Sequence, residues 1–289
     1  MSLFSVPSAG RLRNYLRGSG ATDRDGARLE VVTQAQVQTT PFGDVLREWR
    51  QRRRMSQLDL ALAADVSSRH VSFVETGRSI PSRAMVLRLA DVLDVPPREQ
   101  NHLLIAAGLA PVYAERSLDD PDMAAVRDGV EQVLAAYDPF PCLAVDRGWR
   151  VLRFNEGAMV LLDGVAASLL EQPNALRIAL HPDGLASRIQ NLAQWRHHVI
   201  GRLRREVAVS GSDDLSSLLA EIESYPGGFE KTPDLGGVAV PLRLYTTSGR
   251  LLTFLSTVTT FGTALDLTAA ELSIEAFLPA DEVTAAALR

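Results

Sequence analysis

The sequence contains a single cysteine, Cys142, and no stretch of about 18 apolar residues, the length that a membrane helix needs. One cysteine excludes an intrachain disulfide and any zinc site built from several cysteines. The N-terminus, MSLFSVPSAGRLRNYLRGSG, lacks the basic start and apolar centre of a secretory signal. These absences predict a cytoplasmic protein with no membrane partner.

Common catalytic motifs are also absent. The sequence has no nucleophile elbow, no phosphate-binding loop and no Rossmann glycine pattern. The acidic pair Asp213-Asp214 suits a helix start better than a pair of catalytic acids. His197 and His198 are adjacent on a predicted helix, so they point about 100° apart, and no third metal ligand can be assigned to them. We therefore expect no catalytic residue, no metal and no cofactor, and an enzyme is the least favoured alternative.

Charge is divided unevenly along the chain. Residues 1–110 carry 15 arginines and 11 acidic residues, a net charge of +4. Residues 111–289 carry 15 basic and 24 acidic residues, a net charge of −9, which gives −5 for the whole chain. This asymmetry is typical of a nucleic-acid-binding domain joined to an acidic domain. The length of 289 residues also predicts two domains.

The most informative stretch is 57–74, QLDLALAADVSSRHVSFV. Leu60, Ala61 and Ala64 share one face of a first helix, and Val71 and Val74 share one face of a second. The small side chain of Ala61 suits the point where two helices cross closely. The pattern predicts a helix-turn-helix for DNA.

The flanking residues support this prediction. Ser56 and Ser82 stand where they can cap helices, and Gly77 follows the second helix as a stop. Asp65 lies at the tight turn, where glycine is usual and Asp tolerates the left-handed backbone better than most residues. Apolar stripes in 41–53 and 83–93 and a proline start at Pro97 complete a five-helix, all-α domain over residues 41–110.

Several polar residues of this helix-turn-helix are predicted to face DNA. We expect the second helix, which begins near Ser67, to lie in the major groove, with Arg69 as the best candidate for a bidentate contact to guanine. Gln57 begins the first helix, where its side chain and backbone N–H can reach a phosphate. The full set of expected DNA contacts is Gln57, Ser67, Ser68, Arg69, His70, Ser72, Phe73, Thr76 and Arg78.

The segment RRRMSQLDLALAADVSSRHVSFVETGRSIPS closely resembles the XRE-type, lambdoid repressor-like family of helix-turn-helix regulators. The resemblance covers about residues 42–109. It implies an ion pair between an arginine of the first helix, here Arg50, and the glutamate that ends the recognition helix, here Glu75. We interpret that pair as structural, since it positions helices and does not read bases.

The remaining sequence is divided into three parts. Residues 1–40 show no periodicity and are predicted to be a flexible arm, and 111–123 are predicted to be a linker. The second domain, 124–289, is predicted to open with a helix, then strands Cys142–Val145 and Trp149–Phe154, and a helix capped by Asn155.

Later in this domain the sequence predicts helices over 184–209 and 213–224, strands over 238–246 and 251–260, and a last helical or partly helical segment over 266–277. The order of helices and strands predicts an α+β domain. Its opening, strand-turn-strand followed by Asn and a helix, is typical of PAS-like sensor domains.

This domain resembles the MmyB-like ligand-binding domain, through VDRGWRVLRFNEGA, ALHPDGLASRIQNLAQWRHHVIGRLRRE and LLTFLSTVTTFGTALDLTAAELSIEAFLPAD. The resemblance implies a PAS-like fold with an apolar cavity for a fatty acid or a similar small molecule. Aromatic residues could line it or could simply be core. Arg196 or Arg188 would be the natural partner of a carboxylate head group. The expected ligand residues are Trp149, Phe154, Arg188, Trp195, Arg196 and Phe254.

Together the two domains predict a transcription regulator that binds double-stranded operator DNA as a homodimer and senses a small apolar ligand. The alternative from a different class is a DNA-binding regulator whose second domain only dimerises or binds a protein partner. A filled core without a cavity would favour that alternative.

Overall fold

The computed structural model describes residues 40–228, 240–261 and 266–289. These residues form two compact units, one of 40–115 with 266–267 and one of 116–228, 240–261 and 268–289. The arm predicted over residues 1–40 lies outside the described residues, apart from Thr40.

The first unit is all-helical, as predicted. Its helices are α1 Phe42–Arg52, α2 Gln57–Ala63, α3 Ser68–Glu75, α4 Arg83–Val92 and α5 Pro97–Ala106. Ser56, Ser67 and Ser82 cap α2, α3 and α4, because each side-chain oxygen accepts a backbone N–H in the first turn. Asp65 joins α2 to α3 with φ of 52°, the left-handed conformation expected at the turn. The predicted inward residues of α2 and α3 are all buried.

Among the described residues the second unit contains five strands and eight helices, counting α12, whose first residue, Leu267, is grouped with the first unit. They are α6 Ala124–Tyr137, β1 Cys142–Val145, β2 Val151–Phe154, α7 Met159–Leu162, α8 Ala167–Glu171, α9 Ala175–Leu180, α10 Leu192–Ser210, α11 Asp213–Ser224, β3 Leu242–Tyr245, β4 Leu251–Thr260, α12 Leu267–Glu271, β5 Ser273–Pro279 and α13 Glu282–Leu288. Short 3₁₀ turns lie at Pro121–Met123, Glu156–Ala158 and Ala186–Arg188.

The strands form one antiparallel sheet in the order β2-β1-β5-β4-β3. Side chains alternate between its faces. On β1, Cys142 and Ala144 pack with α6, whereas Leu143 and Val145 belong to the larger core with α9, α10 and α11. The α+β, PAS-like class predicted for this domain is confirmed.

The segment 266–277, predicted to be helical or partly helical, is helical only in its first part, and the sequence reading missed the strand that follows. Only Leu267–Glu271 is helical, and the rest of the segment enters β5, which lies between β1 and β4. Leu, Ala and Glu favour a helix there, but their preference is weak. Burial on both faces of the sheet outweighs it, because Ile274 and Ala276 pack toward α6 while Phe277 joins the other core.

Other helix and strand boundaries also differ from the predicted ones. The long helix begins at Leu192 and not at residue 184, and the second strand begins at Val151. Trp149 has φ of 64°, which places it in the turn before β2. In the predicted linker, Asn101 Oδ1 accepts the backbone N–H of Tyr113 at 3.1 Å, and Leu118 is buried in the core under α6. Parts of 111–123 are therefore built into the units.

Gly43 sets how closely α1 approaches α3. A Cβ at Gly43 would lie 2.3 Å from the carbonyl oxygen of Glu75 and 2.9 Å from that of Val74, and backbone cannot swing aside. We expect Gly43→Ala to lower the free energy of unfolding of the first unit by about 1–3 kcal/mol, the usual effect of overpacking. Urea denaturation followed by peptide-level hydrogen exchange would measure it.

Gly201→Ala is the matched control, since Gly201 lies inside α10 and its added Cβ would meet only the Arg205 side chain, at 3.8 Å. That change should stabilise the second unit by about 0.5–1 kcal/mol, because alanine is the better helix former. If Gly43→Ala were equally harmless, the close approach of α1 to α3 would not matter.

Candidate nucleic-acid interface and apolar cavity

The carboxylate of Glu75 joins the first three helices from a fully buried position. Arg50 Nε donates to Glu75 Oε1 at 2.7 Å, and Arg50 Nη2 donates to Oε2 at 3.1 Å. Burial alone would raise the pKa of Glu75, but the hydrogen bonds from Arg50 and Gln57 and the charges of Arg50 and Arg47 outweigh it, so the pKa is lowered. The pair is ionised and lies inside the unit, not on its surface.

The side chain of Gln57 serves the same carboxylate. Its Nε2 donates to Glu75 Oε2 at 2.7 Å. Arg47 Nη2 adds a hydrogen bond to the Glu75 carbonyl oxygen at 3.0 Å. The sequence reading expected the Gln57 side chain to reach a phosphate, and the structure instead uses its amide N–H to hold α2 against the end of α3. The backbone N–H of Gln57 still lies in the first turn of α2, where helices leave N–H groups without intrahelical partners.

The predicted reading residues lie together along α3 and its two ends. Ser67, Ser68, Arg69, Thr76 and Arg78 are exposed. The remaining three, His70, Ser72 and Phe73, are half-buried. Because the buried face of α3 is held by Val71, Val74 and Glu75, the opposite face is free to enter a groove.

Two arginines flank the ring of Phe73. The Cζ atom of Arg69 lies 5.0 Å from the ring centroid, and that of Arg78 lies 5.9 Å away. At these distances the positive charge of each guanidinium is attracted to the face of the ring. Phe73 therefore holds both arginines close to α3 by cation–π attraction.

A cavity lies in the second unit between the sheet and α7, α9 and α10. The cavity has a volume of about 90 Å³. It lies within about 880 Å³ of atom-free space, part of which is open to solvent. Apolar side chains from Leu143 to Phe277 form most of the wall, and the described polar ones are His198, Arg202, Ser256 and Glu275.

Three of the predicted ligand residues, Trp149, Phe154 and Trp195, line this cavity. Phe254 does not, because it lies on a core-facing position of β4 and is fully buried against Phe277, with ring centroids 6.4 Å apart.

The two arginines proposed for a carboxylate head group also lie away from the cavity wall. Arg196 Nη2 donates to the carbonyl oxygens of Glu223 at 2.8 Å and Tyr225 at 2.9 Å, so it caps the C-terminal end of α11. Arg188 donates to the carbonyl oxygens of Tyr245, at 3.3 Å, and Asp163. Both arginines were chosen as partners of a ligand carboxylate because of their charge. Their side chains instead point toward backbone carbonyl oxygens and hold neighbouring segments together.

The polar end of the cavity is built around Arg202. Its Nε donates to Glu206 Oε1 at 3.0 Å, and its Nη1 donates to Glu275 Oε1. Its Cζ lies 4.3 Å from the centroid of the Trp149 ring. Trp149 Nε1 donates to Glu206 Oε2 at 2.9 Å. A positive φ is unusual for a bulky residue and is typical of functional positions, so the backbone of Trp149 marks this corner as one held in place by its surroundings.

Two groups at this end have pKa values shifted in the direction that favours the neutral form. Burial raises the pKa of Glu275, and the charge and hydrogen bond of Arg202 only partly oppose that effect. Burial lowers the pKa of His198, and the charges of Arg202, Arg205 and His197 lower it further.

The sequence reading missed Arg202, Glu206 and Glu275. The first two could have been found from spacing, since His198, Arg202 and Glu206 recur every four residues on α10 and share a face with Trp195. Glu275 could not be found in this way, because its segment was predicted to be helical or partly helical, and its cavity-facing position follows from the alternation of side chains along β5.

Within 40–228, 240–261 and 266–289, no cluster of three or more His, Cys, Asp or Glu side chains is arranged to hold a metal ion. Over the same ranges, no helix has both the length and the apolar character needed to cross a membrane.

Comparison with known families decides the identity of the chain. The model of the MmyB-like transcription regulator ligand binding domain matches residues 126–289, more than half of the sequence. The chain belongs to the MmyB-like transcription regulators. A helix-turn-helix domain model matches residues 41–103 of this regulator. It is therefore a DNA-binding transcription regulator with a helix-turn-helix domain and a ligand-binding domain.

Individual relatives match parts of the regulator. It is 33% identical over 110 residues to the uncharacterized HTH-type transcriptional regulator RghRB of Bacillus subtilis. The matched residues cover 38% of this chain and 70% of that protein. Among solved structures it is similar to the restriction-modification controller protein C.AhdI from Aeromonas hydrophila, at 39% identity and a TM-score of 0.20, over 20% of this chain and 89% of the other. An RNA-binding light-oxygen-voltage receptor matches at 13% identity and a TM-score of 0.25, over 86% of this chain and 60% of the other.

Proposed function

We propose that this regulator binds operator DNA as a homodimer through α3, and that a small apolar molecule in the cavity of the second unit changes its affinity for DNA. The observation that carries the proposal is the cavity itself, with a wall that is apolar except for His198, Arg202, Ser256 and Glu275. Such a wall suits an apolar ligand whose orientation is set by a small polar group. A fatty acid is one candidate.

The dimer follows from the size of the reading surface. One short helix contacts only a few base pairs, and helix-turn-helix regulators extend their sites by pairing two such helices on half-sites about one helical turn apart. Because the target is genomic DNA, we place the regulator with the nucleoid in the cytoplasm.

Coupling between the sites must be reciprocal. If the ligand weakens DNA binding by some factor, DNA weakens ligand binding by the same factor. The alternative, a second domain that only dimerises, predicts that an occupied cavity leaves DNA affinity unchanged.

The test begins with selection of a preferred duplex from a random pool, followed by anisotropy titrations with and without an apolar compound, and sedimentation of the complex. The proposal requires a pseudo-palindromic site, two chains per duplex and a shifted affinity. A duplex preference without any ligand effect would support dimerisation alone, and no preference over random DNA would refute operator binding.

Arg69 provides the sharpest check of base reading. Arg69→Ala should relax preference at one base position of each half-site by about 1–3 kcal/mol, the value of a bidentate contact. The control is Arg88→Ala, which removes an equally exposed arginine from α4 and should leave base preference intact. Binding to single-base variants of the selected duplex measures both. An unchanged preference in folded Arg69→Ala would assign base reading to other residues.

A further inference from the structure

Arg202 is the one permanent cation among the described residues that line the cavity. Its Nε donates to Glu206 Oε1 at 3.0 Å, and its Cζ lies 4.3 Å from the centroid of the Trp149 ring. Trp149 Nε1 donates to the other oxygen of the Glu206 carboxylate at 2.9 Å. These contacts hold the guanidinium in place without using Nη1, the nitrogen that donates to Glu275. The hydrogen bond to Glu275 can therefore be exchanged while the arginine stays where it is.

Glu275 is the weaker of the two carboxylate partners of Arg202. Its side chain is 9% exposed, whereas that of Glu206 is 33% exposed. Burial raises the pKa of Glu275 and the charge of Glu206 raises it further, while Arg202 only partly opposes them. The residues opposite Glu275 on the neighbouring strands, Leu143 on β1 and Val258 on β4, carry no charge. Without Arg202, Glu275 would have no charge partner among these neighbours.

His198, one helical turn before Arg202 on α10, is the remaining titratable group on the described part of the cavity wall. Burial and the charges of Arg202, Arg205 and His197 lower its pKa, so a proton is disfavoured there. Of the titratable groups on this wall, Glu275 is therefore the one whose surroundings favour taking up a proton.

We infer that the carboxylate of an apolar acid takes the place of Glu275 on Arg202 Nη1, and that Glu275 takes up one proton from solvent in the exchange. If Glu275 stayed ionised, the ligand would be a third acid on one guanidinium, and like charges close together disfavour ionisation. The exchange avoids this, because one ionised carboxylate replaces another on the same cation. This inference rests on the proposed ligand-sensing function and adds that binding of an acidic ligand depends on pH.

The direction of the pH dependence follows from the exchange. Without Arg202 as its partner, Glu275 holds its proton to higher pH in the complex than in the free protein. Between the pKa values of Glu275 in the free and in the bound protein, affinity for the acid should fall about tenfold for each unit of increasing pH. Below that window Glu275 is protonated before the ligand arrives, so the affinity no longer changes.

Calorimetry on the full chain tests the exchange with octanoate, and octanol serves as the uncharged compound of equal chain length. Titrations between about pH 6 and about pH 8, where octanoate stays ionised, are run in buffers of different ionisation enthalpy, which gives the protons taken up for each molecule bound. We expect proton uptake to approach about one for octanoate and to be absent for octanol. Octanoate binding without proton uptake would overturn the inference and leave ligand sensing intact. Binding of neither compound would overturn the inference and count against an apolar-ligand site.

A variant assigns the proton to its residue. Glu275→Gln keeps the shape of the side chain but cannot titrate, so it should bind octanoate without proton uptake and with an affinity that is constant between about pH 6 and about pH 8. The matched control Glu131→Gln, which changes an exposed carboxylate on α6, should keep the full uptake. Uptake that persists in Glu275→Gln would place the proton on His198 or on the ligand and would overturn the inference.

Discussion

Replacing Glu75 by alanine is expected to remove a large part of the stability of the DNA-binding unit and to weaken DNA binding. The change leaves the guanidinium of Arg50 largely buried without its partner, and Gln57 loses the acceptor of its side-chain N–H. Removing one member of a buried pair typically costs about 3–5 kcal/mol, and a small domain has only about 5–15 kcal/mol in total. The helix that loses these contacts is α3, the one proposed to enter the major groove.

Peptide-level hydrogen exchange across 42–106 would measure this loss, and anisotropy would report DNA affinity. Glu48→Ala is the matched control on α1, because Glu48 is 60% exposed and its partner among the described residues is Arg52 of its own helix. That exposed ion pair should contribute less than about 1 kcal/mol to the free energy of unfolding. Protection in Glu75→Ala equal to that of Glu48→Ala would show that the buried carboxylate is dispensable.

Acid should act on the same group. Because the pKa of Glu75 lies below its ordinary value, the carboxylate stabilises the fold above that ordinary value, and this contribution disappears as the pH falls through the lowered pKa. In Glu75→Gln the pH dependence from this group should be absent.

Replacing Arg202 by methionine should destabilise the second unit by about 3 kcal/mol near neutral pH. The substitution keeps much of the side-chain volume over Trp149, but it leaves Glu275 buried without a cation, beside Glu206. Urea denaturation with hydrogen exchange of the α10 and β5 peptides would follow the loss.

This loss should depend on pH. Burial raises the pKa of Glu275, so the folded state takes up a proton at this site below the raised value. Stability is then present at low pH and decreases as the pH rises through the folded-state pKa. Removing Arg202 should therefore cost less near pH ~5 than near pH ~8, since without the cation Glu275 stays protonated to higher pH.

The double variant Arg202→Met with Glu275→Gln separates charge from packing. It should recover most of the stability, because no uncompensated carboxylate remains at position 275. If single and double variants were equally unstable, the contribution of Arg202 would come from its packing on Trp149, not from neutralising Glu275.

The DNA-binding unit could be predicted almost completely from sequence because its information is local. Serine caps, the turn at Asp65 and the inward stripes each depend on residues within one or two helical turns. The hydrogen bond from Gln57 to Glu75 could not be predicted, because it joins residues 18 positions apart and depends on where their side chains point.

The cavity was harder to predict because its wall is assembled from distant segments. Trp149, Phe154 and Trp195 were chosen because they are aromatic, and the same reasoning included Phe254, which packs in the core and not among the lining residues. Residue type could not tell which neighbour on α10 turns inward, so Arg196 was chosen where Arg202 lines the wall.

For this regulator, the helix-turn-helix and the all-α and α+β classes of the two domains could be predicted from the sequence, because caps, turns and periodicity act between near neighbours, and the PAS-like class came from a family resemblance. The strand Ser273–Pro279 at the centre of the sheet and the contact of Glu275 with Arg202, which itself lies against Trp149, were evident only from the folded structure. Those outcomes depend on burial and charge pairing between residues far apart in the chain, which outweigh the weak local preference for a helix.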